Sequence, residues 1–388
     1  MRVHQHFVSF AAIAFWICSV ASAAPPKLAR VEPREAGFDS TLTARIDAAV
    51  ADALQAKKLP GCVVCIGRGD KIALLKAYGN NRVEPAVEPM TTDTVFDLAS
   101  LTKPLATGTS VMILRERGLL RLDDPVAKHL PEFAAQGKDA ITVEHLLIHQ
   151  GGLIADNSLN DYRDGPETAW RKICELKPVA EPGTKFIYSD VGFIVLGELV
   201  RRISGRDLAD FSRDNIFAPL GLTETGYLPA EPLRARAAPT QQRDGHWMQG
   251  EVHDPRAFLL GGVAGHAGLF STAEDLAVLA ALLSNRGEFG GVRLLNEESW
   301  TTLTAPRKVS SGVRTLGWDR KTGYSINRGT TMSEQAFGHG GFTGTGLWID
   351  PATKLFVIFL SNRVHPDGKA NVNPLIGQIG TIAADSLR

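Results

Sequence analysis

Apolar residues return every three to four positions in TLTARIDAAVADALQAKK (Thr41–Lys58), which predicts an amphipathic helix ending before Pro60-Gly61. The period then changes. PGCVVCIGRGDKIALLKAYG reads as strand, Gly-Asp turn, strand. A loop with Pro85, Pro89 and a threonine cluster delivers the chain to Ser100. From Ser100 to about Leu283 the pattern is mostly helical, broken by loops such as RDGPET and YLPAEPLRARAAPTQQRDGHWMQG. Near the end, FGHGGFTGTGLWIDPATKLFVIFLSNR reads again as strand, turn, strand, and a last helix is predicted from about Asn373 to Ser386.

Strands at both ends and helices between them predict an α/β (α+β) fold. An antiparallel sheet is built from residues 31–99 and about 330–388, terminal helices cover it, and a mainly helical region, about 100–329, is inserted. The cleft between the two regions is the expected binding site.

Composition adds limits. The 388 residues are 44% apolar and 22% charged, an ordinary globular mixture with a sizeable core. The formal net charge is zero, so nothing favours nucleic acid as a partner. MRVHQHFVSFAAIAFWICSVASAAPPK has a cationic start, an apolar run from Phe7 to Val20 and small residues at Ala21-Ser22-Ala23. Residues 1–23 therefore read as a secretory signal peptide, and the run is shorter than the roughly 20 residues a membrane span needs. An exported protein, periplasmic or secreted, is expected, with no stable span in the mature chain. Cys62, Cys65 and Cys174 are too few for a disulfide scaffold. Cys62 and Cys65 stand three apart on a strand, point to opposite faces and read as buried small hydrophobes.

FDLASLTKPLATGTSVMILRERG holds a serine, a lysine three residues on, and a proline. Pro104 is tolerated only in a first helical turn, so a helix begins at Ser100 and Lys103 shares its face. A serine hydroxyl needs a neighbouring base, and a lysine serves only when neutral, so it must be desolvated or placed near another cation. The surrounding stretch is apolar and has no acid. The other reading is that Ser100 caps the helix and Lys103 is solvated. Further on, Tyr188-Ser189-Asp190 precedes a helix predicted from Val191 to Ser204 and stopped at Gly205, with Asp190 as its expected N-cap. A phenol at Tyr188 can reach a cleft. In FGHGGFTGTG the glycines allow another backbone close approach, and His339 adds a polar group.

Together these residues resemble the penicillin-recognising serine hydrolases: class C β-lactamases, D-alanyl-D-alanine carboxypeptidases and the related family VIII esterases. The three signatures, Ser-x-x-Lys, Tyr-x-Asn and Lys/His-Thr-Gly, occur in the family's order. LDDPVAKHLPEF, HLLIHQGGL and GHAGLFSTAEDLAVLA also look like family sequence. The likeness runs from about Val31 to the C-terminus. It implies Ser100 as the acylated nucleophile, Lys103 as its proton acceptor and Tyr188 as partner base. The oxyanion hole would be the backbone N–H groups of Ser100 and Phe342, the latter on an edge strand. Asp190, His339, Gly340 and Gly341 would contact substrate. Substrates would be D-amino-acyl peptides (peptidoglycan fragments among them), β-lactams or small esters; no metal or organic cofactor is implied. Two positions depart from the pattern: Asp190 replaces Asn, and Gly340 lacks the threonine hydroxyl that helps hold a substrate carboxylate. The second argues for a peptidase or esterase over a strong β-lactamase.

Other groups keep open readings. His145 and His149 lie four apart and would suit zinc on one helix face, but Leu146 stands where a metalloprotease motif places Glu. His253 and His266 contact substrate or are structural. Trp318 lines the cleft or fills the core. Ser271 and Glu274 read as a capping box. A rival to the enzyme is a non-catalytic binder of cell-wall peptides on the same fold.

Overall fold

The computed structural model describes residues 26–388; the expected signal peptide lies outside them. Nine strands form the path of the main sheet. In chain order they are β1 (Ala29–Arg30), β2 (Gly61–Arg68), β3 (Lys71–Arg82), β4 (Arg307–Val309), β5 (Gly312–Arg314), β6 (Asp319–Lys321), β7 (Phe337–Gly341), β8 (Thr345–Asp350) and β9 (Leu355–Ser361). Their spatial order is β1-β3-β2-β9-β8-β7-β6-β5-β4. Every neighbouring pair is antiparallel except β1 and β3. The N-terminal hairpin thus joins the C-terminal strands through β2 and β9, in register from Cys62↔Ser361 to Arg68↔Leu355.

Alternation along the strands sorts the two faces. Cys62, Val64, Ile66, Trp348, Val357 and Phe359 bury against α1 (Leu42–Gln55) and the terminal helix Asn373–Asp385. Val63, Cys65, Leu347, Ile358 and Leu360 bury on the other side, against the core of the inserted region. Cys62 and Cys65 are unpaired on opposite faces, as their spacing predicts.

The helical region supplies α2 (Thr109–Glu116), α3 (Asp190–Ser204) and α4 (Ala273–Ser284). α3 ends at Gly205, whose φ of 71° a glycine adopts without strain. The sheet begins earlier than 330: β4, β5 and β6 continue it from Arg307. RKV, GVR and DRK are short and charged, so hydrophobic alternation gives no signal there. The capping box at Ser271 is corrected too. Ser271 is held in a strand pair with Phe96, and Thr272 caps α4 by accepting from Asp275 N.

Candidate active site

The turn that carries Ser100 is built before the helix starts. Phe96–Asp97 pairs with Leu269–Ser271, and Asp97 Oδ1 accepts the Ala99 N–H at 2.8 Å. This helps hold Ala99 at φ 47°, a left-handed conformation uncommon for a residue with a side chain. One 3-10 turn, Ala99–Leu101, follows. The chain then winds more widely through Lys103–Gly108 before α2. Ser100 makes no cap. Its Oγ accepts instead from Lys103 Nζ at 2.9 Å.

Lys103 is completely buried, and it faces a carboxylate. Its Nζ also donates to the carbonyl oxygen of His266 at 3.1 Å and lies 2.7 Å from Asp190 Oδ1. Burial alone would lower the lysine's pKa; the carboxylate of Asp190, followed by Tyr188, more than offsets this and holds it above the ordinary value. The desolvation expected of a lysine base is present, and the carboxylate beside it works against neutrality. The acid missing from the local sequence arrives from α3.

Asp190 is also not the N-cap of α3. Ser189 takes that place, its Oγ accepting the Gly192 N–H at 3.1 Å, which frees the Asp190 carboxylate to turn inward. Behind it, Asp254 Oδ1 lies 2.9 Å from His266 Nε2. Burial would raise the Asp254 pKa, but His266 and, more weakly, Lys103 hold it well below the carboxylate range. Asp190, Asp254 and His266 place ligand-type atoms within 4.8 Å of one another, and the Lys103 ammonium beside Asp190 supplies positive charge there.

Tyr188 sits over Lys103, with Nζ 4.9 Å from its ring centre. Its ring is packed between His149 (4.4 Å) and Tyr324 (4.7 Å, nearly parallel). His149 does not share a helix face with His145. It lies outside the helix at φ 58°, and its Nδ1 accepts the Ser189 N–H. His145 Nδ1 accepts the Thr142 N–H. Burial, reinforced by Arg314 and Lys103, keeps His149 and His339 well below the usual histidine range. His339 Nδ1 lies 2.7 Å from the Gly340 carbonyl oxygen, an acceptor only, so Nδ1 carries the proton and Nε2 is left as an acceptor.

Ser100, Tyr188, His339, Gly340, Gly341 and Phe342 line one cleft of about 350 Å³. The site residues implied by the family resemblance meet there, except Lys103 and Asp190, which do not line it. The strand bearing His339 is not an edge strand. However, its pairing with β6 is confined to Asp319↔Gly338, so His339–Gly341 run beyond that pair. Phe342 follows at the strand end, 60% exposed. The missing threonine has a structural counterpart. A Cβ at Gly340 would stand 2.5 Å from Asn327 Nδ2, so buried Asn327 occupies the space a residue-340 side chain would take. Asn327, Tyr324, Arg363, Asn371 and Asn373 complete the cleft wall. None had a sequence signal, because each comes from a loop or helix start joined to the site only by the fold.

The remaining histidines and Trp318 resolve. His253 stacks beside Phe342 at 5.5 Å and bonds Gln241 Oε1, while its backbone N–H donates to Asp97 Oδ2. His266 reaches the site through its carbonyl oxygen. Trp318 is fully buried against Phe337 and fills the core.

A mixed fold with this antiparallel sheet and inserted helical region defines a β-lactamase/transpeptidase-like protein. The family model described as Beta-lactamase matches residues 46–380, and the chain belongs to that family. An Escherichia coli (strain K12) protein named "Putative D-alanyl-D-alanine carboxypeptidase" is 32% identical over 404 residues, covering 94% of this chain and 92% of the relative. An N-acetylmuramyl-L-alanine amidase of Bacillus subtilis (strain 168) is 33% identical over 346 residues, 79% of this chain and 78% of its own. Among solved structures, a penicillin-binding protein homologue from Caulobacter crescentus superposes with a TM-score of 0.73 at 22% identity, covering 90% of this chain and 99% of its own. A family VIII carboxylesterase gives 0.71 at 21%, with the same coverage. At these identities the structures establish the fold alone.

Proposed function

We propose that the chain is an exported serine hydrolase that works through an acyl-enzyme on Ser100. The observation that carries this is the contact of buried Lys103 Nζ with Ser100 Oγ on the floor of a cleft flanked by Tyr188 and His339. Because Lys103 donates to Oγ as an ammonium, the proton of Ser100 goes to Tyr188 rather than to the lysine. Oγ attacks the substrate carbonyl, and the resulting oxyanion is held by the N–H groups of Ser100 and Phe342, donors typically worth about 3–4 kcal/mol each. Tyr188 then returns the proton to the leaving group, and water releases the acyl chain. Carboxypeptidase, amidase and esterase names among the relatives and neighbours support a peptide or ester as substrate, in the cell envelope or outside the cell. Asn327 in the threonine's space supports that choice over efficient β-lactam hydrolysis.

Intact mass after incubation with benzylpenicillin, run beside Ser100→Ala, tests the reading. A persistent adduct on the wild type alone is expected for a penicillin-binding peptidase. With no adduct, intact drug and no turnover of short acyl esters, the site is a non-catalytic binder of cell-wall peptides instead.

A further inference from the structure

The two donors assigned to the oxyanion hole come from opposite ends of the chain, and their backbones are not ladder partners. Phe96–Asp97 pairs with Leu269–Ser271, while β7 pairs with β6 and β8. Two buried hydroxyls cross between them instead. Thr343 Oγ1 donates to the Asp97 carbonyl oxygen at 2.7 Å, and Thr345 Oγ1 donates to the Leu98 carbonyl oxygen at 3.0 Å. Each threonine is 1% exposed. Thr343 lies in the turn that contains Phe342 and Thr345 opens β8, and their acceptors lie in the two residues before Ala99-Ser100. Gly341 lets the segments touch: a Cβ there would stand 2.4 Å from the Leu98 carbonyl oxygen.

We propose that Thr343 and Thr345 are positioning residues that set the spacing between the Ser100 and Phe342 N–H groups. The proposal rests on reading Ser100 as the nucleophile. An oxyanion is held only when both donors sit about 2.7–3.1 Å from it, so a small relative shift of the two segments costs rate and not substrate binding. Threonine suits the task. Its branched Cβ restricts χ1, so packing of the methyl directs the hydroxyl. The left-handed Ala99 lies between the clamped carbonyls and Ser100, so loss of the clamp frees the strained turn to relax.

The test uses the full chain with p-nitrophenyl acetate, and phenylboronic acid as a mimic of the tetrahedral state. Thr343→Val and Thr345→Val should each lower kcat about ten- to hundredfold with KM within about threefold, and weaken boronate binding by a similar factor. Thr343→Ser and Thr345→Ser keep the donor and should retain the wild-type rate. Valine variants with wild-type kcat and boronate affinity would overturn the proposal, as would serine variants as slow as the valine ones. Where a valine variant does not fold, Thr343→Ala or Thr345→Ala is read against the corresponding serine variant, and equal rates for the two would overturn the proposal. Failure of the parent reading is distinct: Ser100→Ala would then turn over the ester as fast as the wild type.

Discussion

Asp190 places a carboxylate 2.7 Å from a lysine with no exposed surface, at the position where the family pattern has an amide. An amide would leave the lysine's charge to be decided by burial; the carboxylate favours the ammonium and raises its pKa. Asp190→Asn should therefore let the Lys103 pKa fall, move the alkaline limb of the kcat/KM profile to lower pH, and lower kcat about tenfold or more. An alkaline limb that stays in place would assign the ammonium no role in the reaction. This residue also marks a limit of sequence reading. Ser100 and Lys103 were legible because their signals are local: a helix start, a proline and a shared face. Asp190 was misread as a cap because a serine one position earlier does that work and its true partner lies on another element.

At the scale of elements, the site is a join between a helix start and a strand end. Glycine at 340 and asparagine at 327 are two halves of one arrangement, since either a side chain on β7 or the Asn327 amide fits in that space. Gly340→Thr alone should clash and destabilise the protein by about 1–3 kcal/mol, read by urea unfolding. Gly340→Thr with Asn327→Ala should recover much of that loss and speed acylation by benzylpenicillin. A double variant no more stable than the single one would show that the crowding arises elsewhere. The β2–β3 hairpin, β8–β9 and the terminal helices were legible from period and turn residues. The three strands from Arg307 to Lys321 were not, because their pairing comes from neighbours in the sheet and not from their own apolar pattern. Tyr324, Asn327 and Arg363 were hidden for the same reason: tertiary structure alone brings them to the cleft.

For the molecule as a whole, burial of His339 beside Arg314 and Lys103 links stability to acid. Its folded pKa lies below its unfolded one, so the unfolded chain binds the extra proton first as pH falls through about 6.5. The stability this histidine contributes is present above that pH and lost below it, by up to about 1.4 kcal/mol per pH unit until the folded ring also protonates. His339→Gln removes the term. Urea melts at pH 7.5, 6 and 5 should show the variant gaining on the wild type as the pH drops, and a pH-independent difference would count against a neutral buried ring. Taking the difference between variants also cancels opposing groups such as Asp97, whose carboxyl burial pushes up to about 6.

The register of β2 against β9 carries a consequence in time. β2 is almost entirely buried, and one of its two ladders is completed by Leu355–Ser361, close to the end of the chain. A chain made from its N-terminus therefore presents that apolar strand with one side unpaired until β9 has arrived. Contacts so distant in sequence form late, and such a strand is open to wrong partners meanwhile. That closing strand also pairs with β8, which follows the Phe342 turn and carries Thr345 against the Leu98 carbonyl. Catalysis should thus appear only in a completed chain, and a truncation before Leu355 should yield an aggregating product with no residual turnover.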